Sequence, residues 1–562
     1  MYLSDLKEKI ASFLGVDPLD FVYPPLPELG DLSLPLFNLA KSQGKNPALL
    51  AQEQAEIMAN LPESPDLFLS VKAVGPYLNF FLAPASFLEG AIIDIEQAGS
   101  NFGHSKAGQG QRVMLEYSNA NTHKEYHVGH LRNLFYGDAI QRILQFNGYH
   151  AIPVSYINDF GIHVAKTLWN WQRHPEYARA AGPKGKLLGD CYSTANQNIG
   201  DSQEAKAEVS ATMKAIESRQ GEIYELWQET RDWSIAYFDE IYQRLGIKFE
   251  HIFYESEVIA DGLKITEELL ARGVLIKSQG AIIADLEAYG LGVLPIIRSD
   301  GTALYPVADL ALAKLKFVDY KLQESVYVVD IRQGLYFKQL AKIFELAGEK
   351  FKISHLGYDF VTLKNGMMSS RSGNVITYDQ LFAEALVRAQ KEVSSRHQDW
   401  SEEKIQVVSE KLAIAALKFE MLKVSADKVI TFDMNEALRF DGFTAAYLQY
   451  TGARLASLVR KSEIKSKSLD YQLLAHPKEL ALALCLQRFP EIILKAGEQR
   501  DASVIARYLF ELAQAFNDYY HDVPVLKAEA PLAAARLALL ASVRQVLENG
   551  FILLGMSYLE EM

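Results

Sequence analysis

Cysteine is nearly absent: the 562 residues contain only Cys191 and Cys485, far apart and without a C-x-x-C pair. This excludes a disulfide framework and a cysteine-built structural zinc site, and it suits a reducing cytoplasm. Long apolar runs are lacking as well. No uninterrupted stretch approaches the roughly 20 residues of a membrane span, and Met1-Tyr2-Leu3-Ser4-Asp5-Leu6 has no basic region followed by an apolar core. A cytoplasmic chain with no membrane partner is therefore expected. Positive charge is in deficit, with 57 Lys and Arg against 70 Asp and Glu and a net charge of −13. Indiscriminate binding to DNA is not expected, and any nucleic acid must be met by a local basic surface. Internal repeats and low-complexity tracts are missing too. What is there is globular in composition, 49% hydrophobic and 23% charged, and long enough for about three domains.

Residues 1–105 read as an α/β unit. It has a Pro-rich segment at Tyr23-Pro24-Pro25-Leu26-Pro27, a helical pattern from Asn46 to Ala59, and strand-like runs at Leu67–Val71 and Tyr77–Leu82. A polar, Gly-rich linker at 103–111 leads into strand and helix patterns that alternate through 106–377. Strand-like runs fall at 113–117, 151–156, 281–286 and 325–330, and alternation of this kind predicts a doubly wound parallel sheet. Roughly 165–275 is mainly helical in pattern and reads as an insertion. Its charged stretch, Ser202 to Arg219, reads as a solvated helix face. Strand signals fade after about 378, and apolar residues at helical spacing between 378 and 562 predict an all-α bundle.

Two stretches carry chemistry. The strand-like Val113–Tyr117 is followed by Ser118 to Asn133, in which His127-Val128-Gly129-His130 opens a helix. A helix N-terminus presents unpaired N–H groups and partial positive charge. Gly129 allows close approach, and two imidazoles can donate to phosphate oxygens. A nucleotide phosphate site and adenylate-forming chemistry follow from that reading; two histidines that merely cap a helix are the equal alternative. The second stretch, Leu363 to Val375, is polar and glycine-bounded. Met368, Ser369 and Ser370 lie in it, and Arg371 could neutralise phosphate charge, so it reads either as a lid over a triphosphate or as an ordinary surface connection. Together they are more telling. The first βα turn and a loop after the last strand both belong at the carboxyl edge of one sheet, where open α/β folds bind ligands.

The paired motifs resemble the signatures of the class I aminoacyl-tRNA synthetases, with His127-Val128-Gly129-His130 standing for HIGH and Met367-Met368-Ser369-Ser370-Arg371 for the KMSKS loop. Within the class the chain is most similar to the arginyl enzymes. The likeness rests on Glu116-Tyr117-Ser118 with Asn121, His130-Leu131-Arg132-Asn133, Phe253-Tyr254-Glu255-Ser256 and Leu304-Tyr305-Pro306-Val307-Ala308-Asp309. At the ends it rests on Gly30-Asp31, and on Asp441 to Arg454 with Arg507 to Tyr520 and Leu554 to Met562. The resemblance implies a Rossmann-type catalytic domain between an N-terminal domain that contacts the D-loop region of tRNA and a helical anticodon-binding domain. It implies ATP-dependent activation of L-arginine and transfer to the 2′-hydroxyl of tRNA(Arg), in a monomer. His127, Gly129 and His130 would bind ATP together with the 366–374 loop, and Mg²⁺ would accompany the triphosphate without a protein metal cage. Glu255, Tyr305, Asp309 and Gln333 would line the arginine pocket. Asn121 and Ser118 would meet the α-amino and carboxylate groups, with Glu116 as a supporting acceptor. A guanidinium carries five donors and a permanent charge, so paired carboxylates suit it and an editing domain is unnecessary.

One departure matters. The KMSKS loop normally offers lysines, and here Met367 and Ser370 stand in their places. Lys124, just ahead of the histidines, is the expected substitute. His163 occupies a position where the family usually has glutamine. The incomplete loop also leaves open a catalytically weak, tRNA-binding regulatory protein, and an unrelated nucleotidyltransferase sharing H-x-G-H is a further alternative.

Overall fold

The computed structural model describes residues 2–62, 64–363, 376–461 and 469–562. The N-terminal unit is a three-stranded antiparallel sheet, ordered β1 (Leu32–Pro35), β3 (Tyr77–Leu82), β2 (Phe68–Val74), with helices Tyr2–Leu14, Pro47–Ala59 and Pro84–Ala98 around it. Asn46 starts the helix Pro47–Ala59 because its side chain accepts from the N–H groups of Ala48 and Leu49, and Pro47 fits the first helical position.

The central sheet has five parallel strands: β4 (Arg112–Glu116), β5 (His150–Ile157), β6 (His251–Tyr254), β10 (Glu324–Asp330) and β11 (Ile353–Tyr358). Their order is β11-β10-β4-β5-β6. The chain moves outward from β4 in one direction and later returns to β10 on its other flank, which is the doubly wound Rossmann-type arrangement. The crevice between the carboxyl ends of β4 and β10 is its topological switch point. Burial on both faces explains the apolar runs Val113–Leu115 in β4 and Val326–Val329 in β10.

Two expectations are corrected. The run at 281–286 forms β8 (Ala281–Asp285), which lies not in the parallel sheet but in an antiparallel one with β7 (Ile276–Ser278) and β9 (Val293–Ile297). The cause is the two-residue turn Gln279-Gly280, both with positive φ. Such a turn joins only antiparallel neighbours. The inserted helices, Ile162–Arg173, Glu176–Arg179, Lys184–Ile199, Gln203–Glu217 and Glu222–Arg244, end earlier than the pattern suggests, because the chain re-enters the sheet at β6 before 275.

Helices dominate from Tyr378 onward, although a short strand, β13 (Ile430–Phe432), pairs in parallel with β12 (Val361–Leu363). The helix Ala530–Leu553 is long and apolar enough to cross a membrane by length and composition. It lies among the other helices of this unit, and its Arg536 donates to buried Glu479 at 2.8 Å. The first and last parts of the chain pack together. Lys7 and Tyr23 both reach Glu491, at 2.6 and 2.8 Å, and the N–H of Leu3 donates to Gln487 Oε1 at 3.2 Å.

Candidate active site

His127 is the N-cap of the helix Val128–Phe146. Gly129 N–H donates to His127 Nδ1 at 3.1 Å, and His127 N–H donates to His130 Nδ1 at 3.2 Å. The rings stack with centroids 3.6 Å apart. Burial, reinforced by the Lys124 charge, holds His127 down to about 4; burial with the charges of His127 and Lys124 holds His130 well below the usual imidazole range. Both rings are therefore neutral, and with Nδ1 accepting, each carries its proton on Nε2. Capping thus sets the tautomer that leaves two Nε2–H donors, which could serve phosphate oxygens. A Cβ at Gly129 would sit 3.0 Å from the His127 ring, so a larger residue would displace that ring.

The turn before this helix is strained and tied down. Ser118 and His123 have φ of 60° and 61°, a region disfavoured for residues with a Cβ. His123 is buried and bonded through its ring nitrogens to Thr122 and Thr230, at 2.9 and 2.8 Å, and burial lowers it to about 3. Ser118 Oγ is engaged by the hydroxyls of Tyr126 and Tyr242, each at 2.8 Å. Asn121 bridges to Asn158 at the carboxyl end of β5. Lys124 lies with Nζ 4.9 Å from the Tyr192 ring centroid, and its charge reaches both signature histidines and His163.

Beside this turn lie four carboxylates, Glu116, Asp159 and Glu255 buried and Asp309 half-buried. Glu116 forms an ion pair with Lys316 and accepts from Asn119 at 3.0 Å. Asp159 pairs with Arg231 at 2.6 Å and accepts from Ser256 N–H and Oγ, at 2.9 and 2.7 Å. Glu255 and Asp309 differ, since neither is ion-paired among the described residues. Glu255 Oε2 is buried without a hydrogen-bond partner, and Asp309 accepts from Tyr336 OH. Burial, then the charges of Asp159 and Asp309, pushes Glu255 up to about 8; burial pushes Asp309 up to about 6. Two acids held partly protonated by burial could receive a cation. Tyr305, 70% exposed, and the exposed Gln333 stand at the starts of the helices Tyr305–Tyr320 and Gly334–Leu346.

Met368, Ser369, Ser370 and Arg371 lie outside the described residues. The chain beyond them returns to the histidine turn: Val128 N–H donates to Ile376 O, and Tyr378 N–H donates to Tyr126 O at 2.7 Å. Sequence reasoning missed Lys316, Arg231 and Tyr336: Lys316 and Tyr336 are single polar groups in largely apolar stretches, and Arg231 is one charge among many in the helix Glu222–Arg244. In the helical unit, a cavity of about 730 Å³ is lined by Trp400, Lys404, Tyr450, Arg454, Arg460 and Tyr520, among others.

Comparison with known proteins agrees with this geometry. The family model described as "tRNA synthetases class I (R), catalytic domain" matches residues 94–433, and the fold and signature turn together define a class I aminoacyl-tRNA synthetase. Models for the arginyl-tRNA synthetase N-terminal domain and the DALR anticodon-binding domain match residues 2–82 and 448–562. The arginine–tRNA ligase of Bdellovibrio bacteriovorus is 38% identical over 552 residues, covering 96% of this chain and 94% of the relative. That of Treponema pallidum is 34% identical over 554 residues, with coverage of 96% and 94%. The structure of Thermus thermophilus arginyl-tRNA synthetase superposes with a TM-score of 0.81 at 29% identity, covering 100% of this chain and 99% of that one. The chain belongs to the arginyl-tRNA synthetases, the class I ligases that join arginine to tRNA.

Proposed function

We propose that the chain activates L-arginine with ATP and transfers it to the 2′-hydroxyl of the terminal adenosine of tRNA(Arg). An oxygen of the arginine carboxylate bonds to the α-phosphorus, the bond to the β-phosphate oxygen breaks, and pyrophosphate leaves. The 2′-hydroxyl then attacks the acyl carbon, AMP leaves and the hydroxyl proton is lost. Most of the acceleration comes from positioning and charge stabilisation. Nε2–H of His127 and of His130 donates to phosphate oxygens as charge builds. Lys124 leaves the face of Tyr192 to meet the leaving pyrophosphate, with Arg371 as a second cation. Mg²⁺ enters with the triphosphate, held largely by phosphate and water.

The observation that carries the substrate assignment is the pair Glu255, buried, and Asp309, half-buried, neither ion-paired among the described residues. A guanidinium supplies the missing charge and enough donors to satisfy both. Tyr305 and Gln333 close the pocket from the helix starts, with Asn121, Ser118 and Glu116 around the backbone of the amino acid. A regulatory tRNA binder would gain nothing from two carboxyls held close together without an ion-pair partner. The cavity at Trp400 and Arg454 suits a stacked anticodon base beside phosphates. The division of labour is then 1–105 for the outer corner of the tRNA, 106–377 for chemistry and 378–562 for the anticodon, in a cytoplasmic monomer. The test is aminoacylation of tRNA(Arg) transcript with ATP and arginine, lysine or glutamine. Arginine alone should be charged; absence of arginylation with tight tRNA binding retained would instead favour a regulatory binder.

A further inference from the structure

Arg132 and Asn133, in the first turns of the helix Val128–Phe146, fasten that helix to two different parts of the protein. Asn133 ties it to the sheet: Ser118 N–H donates to Oδ1, and Nδ2 donates to Val328 O of β10 at 2.6 Å. Arg132 reaches the chain that follows the helix Glu402–Leu422. Its Nη2 donates to the carbonyls of Ser425 and Ala426 at 3.2 and 3.4 Å. Ala426 O also accepts from Asp359 N–H at 2.9 Å, at the junction of β11 and β12. A single guanidinium thus joins the signature helix, the edge of the sheet and the helical unit just after Glu402–Leu422.

Its surroundings satisfy it only in part: besides the two carbonyls, the guanidinium lies 5.9 Å from the Tyr136 ring centroid. The side chain is fully buried, and Nε and Nη1 make no hydrogen bond among the described residues. Burial lowers its pKa to about 10, and the nearest acids, Asp501 and Asp359, act at a distance without forming an ion pair. A buried charge with unfilled donors costs folding free energy, and an apolar side chain of similar length often packs at less cost. We propose that Arg132 is a positioning residue for the His127–His130 turn, fixing the height of both Nε2–H donors relative to the β11–β12 junction. This rests on the reading that those histidines bind the triphosphate. Displacement of such donors by about 1 Å is enough to slow a positioned reaction by roughly 10²-fold.

The test uses the full-length enzyme with tRNA(Arg) and the variants R132M, R132K, H127A and H127A/R132M. R132M should unfold at the same temperature as the parent or higher, yet lose about 10- to 10²-fold in kcat, with KM for arginine within about twofold. R132K, which keeps one donor, should recover part of the loss. In the H127A background R132M should cost less than about twofold more, because residues acting through one another are not additive. The inference is overturned by an unchanged kcat in R132M, by a lowered unfolding temperature with kcat per folded molecule retained, or by full additivity with H127A. An unchanged kcat in H127A would overturn the phosphate reading and this inference with it; a normal loss in H127A with an additive R132M would overturn this inference alone.

Discussion

Glu255→Gln isolates the cation receptor from the rest of the site. The amide keeps the size of the side chain and removes its charge, so the guanidinium of arginine loses one charge-assisted contact. Such contacts contribute about 1.5–3 kcal/mol, which at about 1.4 kcal/mol per decade is a fall of roughly 10- to 150-fold in kcat/KM for arginine. The pH dependence is more diagnostic. Glu255 is raised to about 8 in the free protein, so at neutral pH it is mostly protonated, and binding a cation requires the proton to leave. With that pKa, the ionised fraction rises about tenfold between pH 7 and pH 9, and kcat/KM for arginine should rise with it. The linkage has a matching sign in stability. A carboxyl whose folded pKa of about 8 lies above its ordinary value of 4.5 disfavours the fold increasingly as pH rises between those two values, and arginine restores what is lost. The arginine-induced rise in unfolding temperature should therefore grow from pH 6 to pH 8. Initial rates of arginylation across pH 6–9, with calorimetry in two buffers of different ionisation enthalpy, measure both effects. In E255Q the rise should flatten and the proton release should disappear. A variant that keeps the parental profile, with KM within about twofold, would refute the reasoning.

Three other outcomes are expected. Lys124→Ala should lower tRNA-dependent pyrophosphate exchange by roughly 10²-fold, as loss of one charged contact to a transferring phosphoryl group does; a change within about twofold would assign the leaving-group charge elsewhere. Trp400→Ala should raise KM for tRNA about 5- to 10²-fold through loss of about 1–3 kcal/mol of stacking, while KM for arginine, measured in the same assay, stays put. Gly137→Ala should lower the denaturation midpoint by about 1–3 kcal/mol of stability, because its Cβ would fall 2.2 Å from the Tyr117 ring and force the signature helix away from the end of β4.

What could be read from the sequence was what depends on neighbours in sequence. The cap at Asn46, the signature turn at His127 and the apolar strands β4, β5 and β10 announce themselves within a few residues. The direction of β8 did not, because its pattern is the same in either orientation and only the turn at Gln279-Gly280 decides. β6 was hidden for another reason: four residues between two long helices are too few to show a period. Of the site, Glu255 and Asp309 were legible through motif likeness. Their distinction from Glu116 and Asp159 was not, since it depends on Lys316, 200 residues from Glu116, and on Arg231, 72 residues from Asp159.

The docking of the N-terminal unit onto Gln487 and Glu491 bears on how the chain is made. Leu3 and Gln487 are separated by 484 positions. At about 5–20 residues per second of synthesis, the first helix leaves the ribosome roughly half a minute to a minute and a half before its partner exists. During that interval the surface around Leu3, Lys7 and Tyr23 is open to solvent and to other nascent chains. The N-terminal sheet can close on its own core early, but its seat on the helical unit can form only once Gln487 and Glu491 have been made. Late release, more than slow local folding, should therefore set when the newly made enzyme becomes resistant to proteolysis.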